Sequence, residues 1–360
     1  MKARPSFIRH WRDVEYGEPF TPPGLEESFA FHAPLAPATG LTRLRVDHMR
    51  LVPGNRTNPP GASRDEEEIV FVLEGKPDVW ADGHVWRLEE GDGVWFNDST
   101  GMAHSFLNNS NSDVRLFAMS EGPRYASKFF HPLERDVRVN DVLKNMDKLW
   151  EDVPRRELGP HDGLTRAQRG HSSPAGARKS GKPDFAIHWR NILDAEASRY
   201  PGSDEDQGLD ARFGQRARFS RLGVHVELLR AGRRTSWPHA ERDEEEFVFV
   251  VAGHVDAWID GYIHAMREGD FIGFPARTGI THTIVNNSDA DALLITGSEA
   301  SRARNQFFYP FHEQRNRDVG ALYWSDHPEL KLGPHDGMPD ALRAKLAAGG
   351  VEEKKKHKRV

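Results

Sequence analysis

Residues 237–253 read WPHAERDEEEFVFVVAG, and residues 59–75 read PPGASRDEEEIVFVLEG. The two stretches are copies displaced by 178 positions, and the copying continues outward from both. Between Gly54–Asn109 and Gly232–Asn287, 27 of 56 positions are identical without a gap. Upstream, His10-Trp11-Arg12 falls on His188-Trp189-Arg190; downstream, Phe129-Phe130 falls on Phe307-Phe308. The hexapeptide LGPHDG recurs at 158–163 and 332–337, now displaced by 174. A unit of about 160 residues is domain-sized and too long for a solenoid repeat. The repeat predicts an N-terminal domain over 1–165, a linker over 166–184 rich in Gly, Ser, Pro and Lys, a C-terminal domain over 185–348 and a charged tail over 349–360.

Each unit reads as strand after short strand. FVFVV (247–251) is a β-prone run closed by Gly253, and VDAWIDGYIHAM is two strands around the hairpin dipeptide Asp260-Gly261. GDFIGFP, THTIVNN and ALLIT follow, with turn residues recurring about every 8–12 positions, the spacing of an all-β sandwich or barrel. Helical patterns are confined to the unit ends, at 141–152 (DVLKNMDKLWED) and 339–348 (PDALRAKLAA), the latter opening on Pro339.

The composition narrows the function classes. A formal net charge of -6 with no basic field argues against nucleic acid as the partner. The one basic run, Lys354–Arg359, belongs to the terminal tail. Cysteine is absent, which removes disulfides, thiolate nucleophiles and Cys-ligated metals. With no apolar run long enough to span a membrane and no apolar stretch in the N-terminal MKARPSFIRHWRD, a cytoplasmic protein with no membrane partner is expected.

The second unit presents Gly232, then His239-Ala240-Glu241, then Glu246, six residues and Gly253. Gly269, Pro275, Gly279-Ile280-Thr281-His282 and Asn286 follow. This order resembles the two motifs of the cupin superfamily, over about residues 41–125 and 219–303. The resemblance implies a bicupin: all-β, two tandem double-stranded β-helix (jelly-roll) barrels with short peripheral helices. Two departures stand out. Glu241 replaces the second histidine of the usual His-x-His pair, and the loop between Pro275 and Gly279 is two residues longer than the pattern.

The family motif therefore marks His239, Glu241, Glu246 and His282 as metal ligands. Residues two apart in a strand share a face, so His239 and Glu241 point the same way. A mixed N/O set without sulfur suits one divalent metal ion per chain, Fe(II) first, with Mn(II), Zn(II) or Ni(II) as alternatives. Glu241 has a second reading as general base or orienting group, and Glu245 is the other candidate acid or base. The first unit keeps Glu68 and His104 but has Gly61 and Ser63 where the second has His239 and Glu241, and Asn97 where the motif has proline. It is expected to be a barrel without metal. Residues that differ between the units or flank the motifs complete the expected pocket as substrate contacts: His225, Glu227, Arg234, Trp237, Phe274 and Arg277. The resemblance implies O₂-dependent oxidation of a small organic acid, phenol or diketone. Its alternatives are non-redox chemistry (decarboxylation, isomerisation or lysis), or small-ligand binding without turnover. The partner expected is a small molecule, and because cupin barrels commonly pair, a homo-oligomer is compatible with the resemblance.

Overall fold

The computed structural model describes residues 5–21, 27–122, 127–133, 137–170, 178–300 and 305–357. Residues 171–177 of the expected linker and 358–360 of the tail lie outside the described residues, as do the side chains of the rest of the tail. Two compact units emerge, each a β-barrel. The N-terminal barrel comprises Trp11–Ile192 with Phe213–Leu222; the C-terminal barrel comprises the residues up to His10, Leu193–Arg212 and those from Gly223 onward.

The C-terminal barrel has a six-stranded sheet in the order Ile8–His10, Asp270–Phe274, Glu246–Ala252, Ala292–Glu299, Leu222–Leu229, Leu209–Ala211. A three-stranded sheet, Tyr262–Arg267, His254–Ile259 and His282–Val285, closes it, and Ala240–Glu241 pairs with Phe307–Phe308 at the mouth. The N-terminal barrel repeats the order with Ala186–His188, Asp92–Phe96, Glu68–Glu74, Val114–Glu121, Leu44–Leu51 and Phe31–Pro34.

The units therefore depart from the contiguous division that the repeat predicts. Ile8–His10 completes the sheet edge at Asp270–Phe274 (Ile8 opposite Ile272), and Ala186–His188 completes the equivalent edge at Asp92–Phe96. The physical reason lies in the duplication. Both edges are copies, each needs a short strand to satisfy its open backbone groups, and the two copies of that strand have exchanged barrels. Ile8 is fully buried in its adopted core.

Alternation in Glu246–Ala252 sets the interior. Val248 and Val250 pack with Ile272, Ile284 and Leu294 inside the barrel, while Phe247 stacks on Phe271 on the outer face. Glu246 belongs to the inner set by the same period of two. The hairpin dipeptides Asp82-Gly83 and Asp260-Gly261 both have positive φ at both residues, as a tight type I′ turn requires. A Cβ on Gly261 would overlap the Gly333 backbone, and one on Gly83 would overlap Gly159. This close approach seats the repeated GPHDG turn, whose His161 and His335 carbonyls accept the indole N–H of fully buried Trp80 (2.9 Å) and Trp258 (2.8 Å).

The helix expected at 141–152 forms earlier, over Val137–Asn145. Asp147 has φ 55°, and the chain then runs parallel to Phe129–Phe130, with Trp150 N–H donating to the Phe129 carbonyl at 2.8 Å. Burial of Trp150 overrides its helical surroundings. The C-terminal helix is longer than expected, spanning Asp340–His357. Among the described residues, no helix is long and apolar enough to cross a membrane.

Candidate metal centre

His239 and His282 face each other across an antiparallel bridge and exchange both backbone hydrogen bonds, at 3.1 and 2.8 Å. Their ring centroids are 4.9 Å apart. The Nδ1 of His239 donates to the Trp237 carbonyl at 2.9 Å and that of His282 to the Ile280 carbonyl at 3.2 Å. A carbonyl can only accept, so both Nδ1 atoms carry a hydrogen, and each Nε2, when its ring is neutral, is left to present a lone pair to the barrel interior. Burial also lowers the His239 pKa and favours the neutral ring, against the opposing charge of Glu246.

Glu246 Oε2 lies 3.1 Å from His282 Nε2 and 3.7 Å from His239 Nε2. This oxygen is buried, and its contacts lack hydrogen-bond geometry. Burial would push the Glu246 carboxyl up, but the imidazoles of His282, His239 and His225 outweigh it and hold it below the usual range. Three acceptor atoms thus converge within 4.8 Å of one another. With both rings neutral such convergence is repulsive, and a cation bonded to all three relieves it. Two imidazole nitrogens and one carboxylate oxygen fit a divalent metal with open positions. Phe274 stacks on the His282 ring at 3.6 Å and 9° and fixes its plane.

Glu241 sits beside this group. Its Oε1 is 3.9 Å from His239 Nε2, and its Oε2 accepts from Asn305 Nδ2 at 2.7 Å. Burial, then Glu246 and Glu244, push its carboxyl well above the usual range, against the Asn305 hydrogen bond. Glu245 does not join the group. It adjoins Glu246 and so points to the opposite face; its copy, Glu67, accepts from the backbone N–H groups of Ser220, Arg221 and Leu222.

The remaining expected contacts divide. His225 and Glu227 lie on the strand Leu222–Leu229, separated from the strand of Glu246 by Ala292–Glu299. Trp237 is sandwiched between Tyr200 (4.1 Å, 8°) and His312 (3.8 Å, 6°). Arg234 is buried and fully engaged, with a fork to Glu205 at 2.6 and 2.7 Å and a bond to the Gly337 carbonyl; Arg56 repeats this with Glu27 and Gly163. It is a brace of the fold, not a pocket cation. Phe274 is likewise a wall for His282, as Phe96 is for His104 at 3.5 Å. Arg277 stands on an exposed turn, paired with Asp243 at 3.2 Å, away from the cluster.

The N-terminal barrel keeps the frame and changes the chemistry. His104 Nε2 bonds Glu68 Oε2 at 3.0 Å, and Gly61 keeps the backbone bridge to His104. The space of the missing imidazole is filled by His131: a Cβ on Gly61 would come 2.8 Å from its Cε1. Arg45 stands where the C-terminal barrel has Gly223, pairs with Asp47 at 3.2 Å and acts on Glu68. Burial would push the Glu68 carboxyl up, but His104 and Arg45 outweigh it and hold it down. The chain thus supplies its own cation here. Among the described residues, only His239, Glu246 and His282 form a metal-competent group.

Sequence reasoning missed Asn305 and Tyr309, which stands in His131's place 5.8 Å from the His239 ring. It also missed Arg45. The signal was available, because each differs from its counterpart 178 positions away.

A cupin domain profile matches residues 47–120 and 225–297, and no curated protein matches the chain. Among solved structures, Lactobacillus farciminis oxalate decarboxylase in its formate complex superposes with TM-score 0.51 at 13% identity, covering 89% of this chain and 94% of that one. A mutant form of Bacillus subtilis oxalate decarboxylase gives TM-score 0.51 at 13% identity, with 93% and 89% covered. At such identities the likeness is one of fold. With both motifs, both barrels and both matched segments in register, the chain belongs to the cupin superfamily and is a bicupin.

Proposed function

We propose that the C-terminal barrel holds one divalent metal through His239, Glu246 and His282 and that the protein catalyses a non-redox reaction on a small organic acid: decarboxylation, isomerisation or lysis. The observation that carries this reading is the buried Glu246 Oε2, which makes no well-formed hydrogen bond and stands between the Nε2 atoms of His239 and His282, with the Glu241 carboxyl alongside. A metal bound there supplies Lewis-acid polarisation of a bound carboxylate or carbonyl. Glu241 then has the position of a general acid or base. Asn305 fixes one oxygen and leaves Oε1 facing the cluster, where it gives or takes a proton at the substrate. Phe274 stacks on the His282 ring and the Trp237 carbonyl accepts from His239 Nδ1, so both imidazoles are held in place.

A poised proton-transfer carboxyl is what these reactions need, whereas the oxygenase chemistry implied by the family resemblance has no evident use for it. The oxalate decarboxylases of the same architecture support the same choice, although only as relatives in fold. The test is turnover of a panel of small carboxylic acids by metal-loaded protein under argon and under air. Turnover is expected under argon without O₂ uptake, and Glu241→Gln is expected to slow it about 100-fold with metal content unchanged. Stoichiometric O₂ consumption would restore the oxygenase reading.

A further inference from the structure

We infer that the inner wall of the C-terminal barrel behind the metal cluster is a subsite for an uncharged, hydroxyl-bearing end of the substrate. This rests on the proposed metal site and adds the substrate class to it. The wall is built by strand register. Leu229 and Leu294 lie in the barrel core, so Glu227, His225 and Gly223 share the inner face on one strand, and Thr296 and Ser298 do so on its neighbour. A Cβ on Gly223 would lie 3.0 Å from Ser298 Oγ, which sets those two side by side and brings His225 beside Thr296 and Glu227 beside Leu294. Ser298 in turn pairs with Glu246, and Thr296 with Val248. His225 and Thr296 therefore stand one inner-face step, about 6.7 Å, from the level of Glu246.

These groups lack partners. Thr296 Oγ1 is buried with no hydrogen bond. Glu227 is only 5% exposed, and neither it nor His225 makes a hydrogen bond among the described residues. The Glu227 carboxyl lies against Gly208, which has no side chain to bond it. In the N-terminal barrel the counterparts of Glu227 and Thr296 are Met49 and Ala118, and the counterpart of His225, Asp47, is paired with Arg45. Unpartnered polar groups are destabilising inside a barrel, yet at this wall they occur, among the described residues, in the barrel with the metal cluster and not at the matching positions of the other. A ligand that hydrogen-bonds them accounts for their presence.

The charge around the wall selects the ligand end. The nearest cation, Arg212, is already shared between Asp194 (3.2 Å) and Asp210 (2.8 Å), and Asp210 lies opposite Glu227 in the strand pairing. Among the described residues, Arg212 is the cation that acts on Glu227, and it is already committed to Asp194 and Asp210. Burial and Asp210 also push the Glu227 carboxyl well up, which disfavours further negative charge at this wall. Burial favours the neutral ring of His225. A hydroxyl can both give and accept here.

Three acids that share one metal-binding carboxylate and differ at the far end test this: 4-hydroxybutyrate, succinate and 4-aminobutyrate. Their affinities are measured by calorimetry on the full chain, with metal content determined on the same samples. Binding of 4-hydroxybutyrate at least tenfold tighter than of the other two is expected. Glu227→Leu and His225→Leu should each remove that preference without loss of metal, and Glu227→Gln, which keeps a neutral donor and acceptor, should retain it. Equal or tighter binding of succinate would overturn the subsite. Tighter binding of 4-aminobutyrate would also overturn it, by showing an ionised Glu227 that pairs with a cation. Protein that takes up no metal but ranks the acids as expected would keep the subsite and overturn the metal site; protein that binds neither metal nor acid would overturn both.

Discussion

At the mouth of the C-terminal barrel, His239 projects its imidazole toward Glu246, and Tyr309 stands 5.8 Å back from it. At the same place in the N-terminal barrel, residue 61 is glycine and His131, the counterpart of Tyr309, fills the gap. One step further in, Gly223 leaves open the space that Arg45 takes in the N-terminal barrel. The two barrels thus answer one electrostatic problem differently. Each has a half-buried glutamate beside a histidine; one supplies a guanidinium from its own chain, and the other leaves the charge for a metal. The changes come in matched sets, because a lone loss of an imidazole would leave a cavity and a lone added arginine would lack room.

Substitutions on the two sides should differ in their effects on metal binding and stability. Glu246→Gln removes the charged member of the cluster and should weaken metal binding more than about 100-fold, as read by competition with a chelator. Phe274→Ala should loosen His282 and cost about tenfold in metal affinity, whereas Phe96→Ala should leave metal content unchanged. Gly61→His should not create a second site. Its new side chain meets His131, so the urea midpoint should fall by the equivalent of about 1–3 kcal/mol, and adding His131→Ala should recover part of that loss. The smallest effect is in acid. Burial would raise the Asp78 pKa, but bonds from Arg87, Asn109 and Arg178 outweigh it and hold it below the usual range. Its stabilisation is complete above the ordinary carboxylate pKa of about 4 and is lost as pH falls through the lower folded value. Its counterpart Asp256 faces Asn287 at 3.1 Å and has Ala265 in place of Arg87. Urea midpoints from pH 7 downward should therefore change less with pH in Asp78→Asn than in the unaltered chain.

Much of the fold was legible because the residues that carry it repeat. Trp80 and Trp258 hold the GPHDG turns, Arg56 and Arg234 brace equivalent loops, and Asn108 and Asn286 bond the Leu51 and Leu229 carbonyls at 2.7 and 2.9 Å. The exchange of Ile8–His10 and Ala186–His188 was not legible, since identical edges accept either copy and local sequence cannot choose between them. The cluster His239, Glu246 and His282 could be read from motif spacing. Its supports could not: Asn305 and Tyr309 are far along the chain and belong to no motif, and the bonds of Arg234 to Glu205 and the stacking of Phe274 on His282 were not visible, because proximity in sequence does not say what a side chain already touches.

Whether the C-terminal cluster is the metal site is decided by metal content per chain, measured on the purified protein and on His239→Ala, His282→Ala and His104→Ala variants. About one divalent ion per chain is expected, lost in the first two variants and retained in the third. Two ions per chain, or one that survives both His239→Ala and His282→Ala, would contradict that assignment.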